Sequence, residues 1–370
     1  MSNNLPCVAL YLRSLLDTGI DTRMLNLSQG LVERGINVDL VLNTSKQKDF
    51  SRVPQGVKIV DLKEPKLLRG LPHLINYLKQ EKPQAILSAQ HFTNEVLLIA
   101  KLLSRVSTRF VVSEGNTISA EWRNKPKLKE RLTPLLVRFL YPQADAIIGN
   151  SKGVVSDIAK VTALPLKEIN VVYNPTITPQ VITKSREPVD HLWFKKGEPP
   201  VILGVGRLNI QKDFQTLIKA FAKVRKNHSC RLIILGNGAE KQNLKQLVKQ
   251  LNLENDVQIP GFVDNPYKYM KNSQVFVLSS AWEGLPNVLI EAMAVGTPVV
   301  ATNCPSGPYE ILDGGKYGKL VPIGDEDKMA EAILSVLKGD FQPVDFDWLQ
   351  QFTLESAIEN YLDVLGIANS

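Results

Sequence analysis

Short runs of β-branched and other apolar residues recur along the chain, each followed by a longer stretch with helical spacing. This alternation constrains the fold more than any single motif does. In the first half the strand-like runs are CVALYL (7–12), NVDLVL (37–42), VKIVDL (57–62), AILSA (85–89), RFVVS (109–113), ADAIIGN (144–150) and INVVYN (169–174). Helical periodicity fills the intervals: Met24, Leu25, Leu27, Leu31 and Val32 make one stripe, ended by Gly35. Strands that are apolar throughout belong in a parallel sheet covered by helices on both faces. The rhythm restarts with VILGVG (201–206), a helix from about Lys212, RLIILG (231–236), VQIPG (257–261), VFVLSS (275–280), a helix near Pro286 and TPVVAT (297–302).

Between the two halves, PTITPQVITKSREPVDHLWFKKGEP (175–199) carries four prolines, mixed charge and no sustained periodicity, the composition of a linker. A length of 370 residues also suits two domains better than one. The expected organisation is an N-terminal Rossmann-like domain over 1–175, a linker over 176–198, a second Rossmann-like domain over 199–348 and a closing segment over 349–370. The fold class is α/β, with two doubly wound domains facing each other across a cleft. Ligands of open α/β sheets sit beyond the carboxyl ends of the strands, which directs attention to the loops after Leu12, Ala89, Val205, Leu278 and Thr302.

Composition narrows the class without choosing a function. With 44% hydrophobic and 22% charged residues the chain is an ordinary globular protein. Its net charge of +7 permits lipid head groups, nucleic acid or phosphorylated substrates as partners. Cys7, Cys230 and Cys304 stand singly, with no CxxC, so neither a disulfide framework nor a zinc site is expected, and a reducing cytoplasm fits. The first residues lack a basic region ahead of an uninterrupted apolar run, so no secretory signal is expected. No stretch approaches eighteen apolar residues, which argues against a conventional spanning helix.

SAWEGLPNVLIEAMAVGTPVVAT (280–302) places two glutamates, Glu283 and Glu291, eight positions apart. Pro286 suits the first turn of a helix. The amides of Leu285, Asn287 and Val288 would then point out of the helix N-terminus, a ready site for phosphate. Glu291 falls among Val288, Leu289, Ile290, Ala292 and Met293, all of which favour burial. A half-buried carboxylate needs hydrogen-bond donors, and the adjacent hydroxyls of a ribose would supply them. Taken singly, Glu291 also reads as a helix-surface or a salt-bridged glutamate, and Glu283 as a charge complementing the helix dipole. The pair around a Gly284-Leu285-Pro286 turn is the more specific signal.

EGLPNVLIE resembles the E-x7-E motif of glycosyltransferase family 4, retaining enzymes of the GT-B fold that use nucleotide sugars. GVGRLNIQKDF (204–214), LGNGAE (235–240), IPGFVDN (259–265) and NCPSGPYEIL (303–312) resemble further segments of that family. In the first half DTGIDTRMLNLSQGLVERG (17–35), ADAIIGNS (144–151) and VVYNP (171–175) are similar, although a usual pair of glycines is reduced to Gly19. The resemblance implies that Glu291 binds the ribose hydroxyls and that Glu283 contacts the donor sugar, while Phe262 and Val263 lie beside the base. The implied nucleotide-sugar set also holds Gly19, Gly206, Arg207, Lys212, Gly236, Gly284, Leu285, Pro286, Asn287 and Val288. Arg207, Lys212, Glu283 and His91 are the implied catalytic residues. Arg207 and Lys212 follow a strand end, where fixed cations would stabilise charge developing on the β-phosphate. His91 is implied to hydrogen-bond the donor sugar; read on its own, it is also a partly buried histidine that caps the next helix. The resemblance implies a histidine after Glu114, where this chain departs from the family with Gly115. The resemblance further implies that the closing helix crosses back to the first domain.

The function implied is retaining transfer of a hexosyl unit from a nucleotide diphosphate sugar to a glycan or lipid-linked saccharide, in bacterial cell-envelope or exopolysaccharide synthesis. A UDP-sugar is preferred, because NCPSGPYEIL resembles the UDP-sugar users. No carboxylate stands out as a covalent nucleophile, so front-face attack is favoured. Neither cofactor nor metal is expected: GDEDK (324–328) reads as helix-capping carboxylates, and GVGRLN and GNGAEK fall short of a dinucleotide fingerprint. WRNKPKLKERLTPLLVRF (122–139) has six basic residues and one acidic residue, with Trp122, Leu128, Leu132, Leu135, Leu136 and Phe139 at helical spacing. It reads either as a helix lying on anionic membrane or as a domain helix with a solvated basic face. A cytoplasmic protein with peripheral contact at the inner face of the plasma membrane fits the first of these. Rival readings are an epimerase or hydrolase of nucleotide sugars on the same fold and a non-enzymatic two-lobed sugar-binding protein. Nucleic-acid binding has no aromatic stacking platform to support it.

Overall fold

The computed structural model describes residues 6–15, 19–45, 50–123 and 133–367. The chain forms two compact units, Met1–Thr176 with Gln351–Ser370, and Ile177–Gln350. The first holds seven parallel strands: β1 (Cys7–Leu12), β2 (Asn37–Leu42), β3 (Val57–Asp61), β4 (Ala85–Ala89), β5 (Arg109–Glu114), β6 (Ala146–Gly149) and β7 (Ile169–Val171). Their order is β3-β2-β1-β4-β5-β6-β7. The second unit holds β8 (Val201–Val205), β9 (Arg231–Leu235), β10 (Val257–Gly261), β11 (Val275–Leu278), β12 (Val299–Thr302) and β13 (Lys319–Val321), ordered β10-β9-β8-β11-β12-β13 and also parallel. In each sheet the winding direction reverses beside the first strand, between β1 and β4 and between β8 and β11. Those are the switch points beyond which ligands of such sheets bind.

The apolar strands follow from two-sided burial. On β1, Val8, Leu10 and Leu12 pack with Met24, Leu27 and Leu31 of the helix Gly19–Glu33, while Ala9 and Tyr11 face an opposite cluster with Leu74, Tyr77 and Leu97. The closing helix Leu354–Leu365 covers the same face as Met24. Gly30 makes that packing possible, since a Cβ there would come within 2.6 Å of Ile358. Burying residues such as these stabilises the fold by ~1.5–3 kcal/mol each.

The stretch expected as a linker is folded into the second unit from Ile177 onward. Pro179 opens a helix, Pro179–Ser185, and Trp193 is buried beneath the Arg231 guanidinium, 4.7 Å from its ring centre. Asn265 Nδ2 donates to the Lys184 carbonyl at 2.9 Å. Here proline starts local structure at a position where its missing N–H is not needed, and the composition concealed it. β13 was also unforeseen, because three residues between glycine turns present no periodicity. Of the expected basic helix over 122–139, the described ends belong to two helices, Ile118–Arg123 and Thr133–Leu140. Residues 124–132, including Leu128 and Leu132, lie outside the described residues.

Candidate active site

The site of the second unit begins where β8 ends. Arg207 follows Gly206 and is exposed. The chain then makes a short 3-10 turn, Ile210–Lys212, fixed by Asn209 Oδ1 accepting from the Lys212 amide at 3.2 Å. Asp213, at φ +42°, caps the following helix Phe214–Asn227 by accepting from Thr216. Lys212 therefore stands on the turn before the helix, not on the helix expected from the sequence. Its stem lies against Gly206, where a Cβ would come within 3.2 Å of the Lys212 Cε.

Lys212 Nζ donates to Glu283 Oε1 at 2.6 Å, and the Ser280 hydroxyl donates to the same oxygen at 2.6 Å. Three further bonds fasten the loop after β8 to the loop after β11. Ser279 Oγ donates to the Lys212 carbonyl at 2.8 Å, Gln211 Nε2 to the Trp282 carbonyl at 3.0 Å, and the Ala281 amide to the Gln211 carbonyl at 2.8 Å. The loop after β12 supports Glu283 from the other side. The Glu283 amide donates to the Pro305 carbonyl at 2.7 Å, and Ser306 Oγ to the Gly284 carbonyl at 3.0 Å. Gly307 sits at φ +96°, and a Cβ there would lie 2.6 Å from Pro286 and 2.7 Å from the Gly284 carbonyl oxygen, so only glycine fits.

Leu285 and Pro286 are buried and lead into the helix Asn287–Ala294. Pro286 occupies the position before the helix, one residue earlier than expected, and makes no side-chain cap bond itself. Leu289, Ile290, Ala292 and Met293 are buried, whereas Asn287, Val288 and Glu291 are half-buried. Burial pushes the Glu291 carboxyl up to about 7, with the positive charge of Lys212 acting in the opposite direction. An acid in that state ionises when donors reach it.

Gly236, after β9, serves the approach of one backbone to another. At φ +136° it carries no side chain, and a Cβ would fall 1.9 Å from the Gly206 carbonyl oxygen. The neighbouring Gly238 would place a Cβ 2.1 Å from the Leu208 carbonyl oxygen, and the Leu208 amide donates to the Asn237 carbonyl at 2.9 Å. The two glycine segments are thus zipped together. After β10, Phe262 is exposed and Val263 half-buried.

Lys212, Glu283 and Glu291 are thus brought together, with Gly206, Gly284, Leu285 and Pro286 shaping their surroundings. Gly19 and His91 belong to the first unit. Gly19 opens the first helix and is exposed. His91 is the first residue of the helix His91–Ser104, buried beside β4, with Gln90 at the cap position and no side-chain cap bond. Sequence reasoning missed Ser280, although a serine pair ending the apolar run VFVL was a visible sign. It also missed a buried network in the first unit: Asn94 Nδ2 donates to Glu114 Oε1 at 3.0 Å, and the Tyr141 hydroxyl donates to the same carboxylate.

Two family models match the chain, "Glycosyltransferase Family 4" over residues 18–178 and "Glycosyl transferases group 1" over 187–347. The amylovoran biosynthesis glycosyltransferase AmsD of Erwinia amylovora is 30% identical over 284 residues, 76% of each chain. The N-acetylgalactosamine-N,N'-diacetylbacillosaminyl-diphospho-undecaprenol 4-alpha-N-acetylgalactosaminyltransferase of Campylobacter jejuni is 34% identical over 247 residues, 67% of this chain. That match spans 65% of the Campylobacter protein, less than two thirds of its length. Among solved structures, Anabaena HepE in complex with UDP-glucose superposes with a TM-score of 0.77 over 97% of this chain and 99% of that one, at 19% identity. The last likeness is one of fold.

Proposed function

Because the chain belongs to the glycosyltransferases, with the GT-B fold and the family 4 and group 1 segments in its two halves, we propose that it moves a hexosyl unit, with retention, from a UDP-sugar to a glycan or lipid-linked saccharide. The observation that carries this reading is the placing of Lys212 and Glu283, paired at 2.6 Å, before the start of the helix that carries Glu291, whose carboxyl feels the Lys212 charge. Glu291 takes the ribose diol, whose hydroxyls donate to its carboxylate. Arg207, Lys212 and the first amides of the helix Asn287–Ala294 take the diphosphate, so charge building on the β-phosphate meets fixed donors. These groups supply the positive charge, and no metal is needed for the step.

Glu283 holds Lys212 in place and faces the donor sugar. The bond from the anomeric carbon to the β-phosphate oxygen breaks as the acceptor oxygen arrives on the same face. The departing phosphate takes the acceptor's proton. The first unit, which carries His91, takes the acceptor. Support for the UDP-sugar donor comes from HepE, solved with UDP-glucose, and support for a polysaccharide or lipid-linked acceptor from the amylovoran and diphospho-undecaprenol relatives.

Leu135, Leu136 and Phe139 are exposed next to the basic stretch, which supports peripheral contact with an anionic membrane at the cytoplasmic face. No helix among the described residues is long and apolar enough to cross one. Liposome co-sedimentation that ignores anionic lipid would remove this part. The whole reading is tested by thermal shift with UDP, GDP, ADP and their sugars. UDP is expected to raise the melting temperature, and Glu291→Ala to abolish most of the rise. An unchanged response in the variant would defeat the ribose assignment.

A further inference from the structure

Arg23 stands on the first helix of the first unit and is 3% exposed. It reaches across the carboxyl ends of the strands: its Nη1 donates to Ser113 Oγ on β5 at 3.3 Å and to Asn174 Oδ1, beyond β7, at 3.4 Å. Among the described residues its Nε and Nη2 have no hydrogen-bond partner. Those two nitrogens share one edge of the guanidinium, the edge that grips both oxygens of a carboxylate or two oxygens of a phosphate. A guanidinium keeps its charge when buried, and a buried cation with open donors is costly to hold. A chain gains little by keeping such a group unless something outside it completes the pairing.

Two neighbours make the arrangement a site. Asn150, after β6, is 2% exposed, donates from Nδ2 to the Gly115 carbonyl at 3.3 Å, and has no partner for Oδ1 among the described residues. Gly115 lies against both, for a Cβ built on it would stand 3.7 Å from Asn150 Nδ2 and 3.8 Å from Arg23 Nη1. A Cβ at Gly115 would meet both at ordinary contact distance, and glycine leaves that volume open. A two-nitrogen cationic edge and an open amide oxygen therefore occur together at the carboxyl ends of β5 and β6. Of the carboxylates close in sequence, Asp21 lies two residues before Arg23 on the same helix and is 4% exposed, and Glu114, beside Gly115, accepts from Asn94 and Tyr141.

The geometry points to a binding site for an anionic group on the acceptor saccharide, a carboxylate or a phosphate ester, gripped by the Nε–Nη2 edge of Arg23 while a neighbouring hydroxyl donates to Asn150 Oδ1. This rests on the reading that the first unit takes the acceptor. Arg23 would then determine which acceptors are used: an acidic sugar completes the buried pairing, and a neutral one leaves the cation bare.

The test titrates the full chain, with and without UDP, against methyl glucuronoside, methyl glucoside 6-phosphate and methyl glucoside, followed by ligand-observed NMR. At least one anionic glycoside is expected to bind tenfold or more tighter than the neutral one, and the tighter of the two identifies the group. Arg23→Gln should erase the preference while UDP still binds. Gly115→Leu, which fills the volume and keeps the cation, should erase it too and carries the test if Arg23→Gln does not fold. Equal binding of the three glycosides, no binding by any of them, or a preference that survives in a folded variant overturns the inference. Failure of UDP to bind the unaltered chain would instead count against the donor reading and leaves the glycoside titrations without UDP readable.

Discussion

Lys212 Nζ and Glu283 Oε1 form a 2.6 Å ion pair that joins the loops following two neighbouring strands, with the two side chains only 14% and 7% exposed. A pair held this far from water does little for net stability, yet breaking it strands the remaining charge. Lys212→Ala is expected to cost ~3 kcal/mol and to remove UDP binding. The double variant Lys212→Ala with Glu283→Gln should recover part of the stability and none of the binding. Urea unfolding of the four proteins reads the coupling. Additive effects would mean that the two side chains do not depend on each other.

Arg207 offers the opposite case. Its side chain is exposed, so Arg207→Ala should leave unfolding within about 0.5 kcal/mol of the parent. Turnover of the UDP-sugar should nevertheless fall by roughly 100-fold, the order expected for one lost charge-stabilising donor. Comparing melting temperature with kcat separates the two roles. Unaltered turnover would take Arg207 out of the reaction.

Glu291 makes a prediction about protons. Burial lifts its carboxyl to about 7 in the free protein. With the folded value above the ordinary one, the neutral acid favours the folded state at low pH, and that contribution is lost as pH rises through 7. Diol hydroxyls donate to the charged form and lower the value again. UDP binding at pH 6 should therefore release a proton that Glu291→Gln does not release. Calorimetry in two buffers of different ionisation enthalpy measures it, and the variant subtracts the ionisation of UDP itself. Identical proton release from both proteins would rule out contact between Glu291 and the nucleotide.

Gly236→Ala should destabilise the second unit by roughly 3 kcal/mol or more, since the backbone conformation disfavours a side chain and the added carbon overlaps a carbonyl oxygen. Circular dichroism melts of the variant against the parent decide it. A melt within one degree of the parent would show that the two glycine segments are less tightly joined than the distances indicate.

Much of this was legible in the chain itself, for definite reasons. Two-sided burial makes strands such as β1 and β4 uniformly apolar, and an apolar run survives as a signal without its context. The helix around Glu291 was legible because a carboxylate amid Leu289, Ile290 and Met293 needs explaining. Hidden features depended on side chains far apart in sequence. Ser280 shares an oxygen with Lys212, 68 positions away, and Arg23 reaches Ser113 and Asn174; no local spacing encodes either. Residues 177–199 were misread because prolines that open short helices look the same in composition as prolines that prevent them.

A crystal structure of the full chain with UDP bound tests the central claim most directly. The diphosphate is expected against Arg207, Lys212 and the N-terminus of the helix Asn287–Ala294, with both ribose hydroxyls on Glu291. A nucleotide bound in the first unit, or a ribose turned away from Glu291, would contradict it.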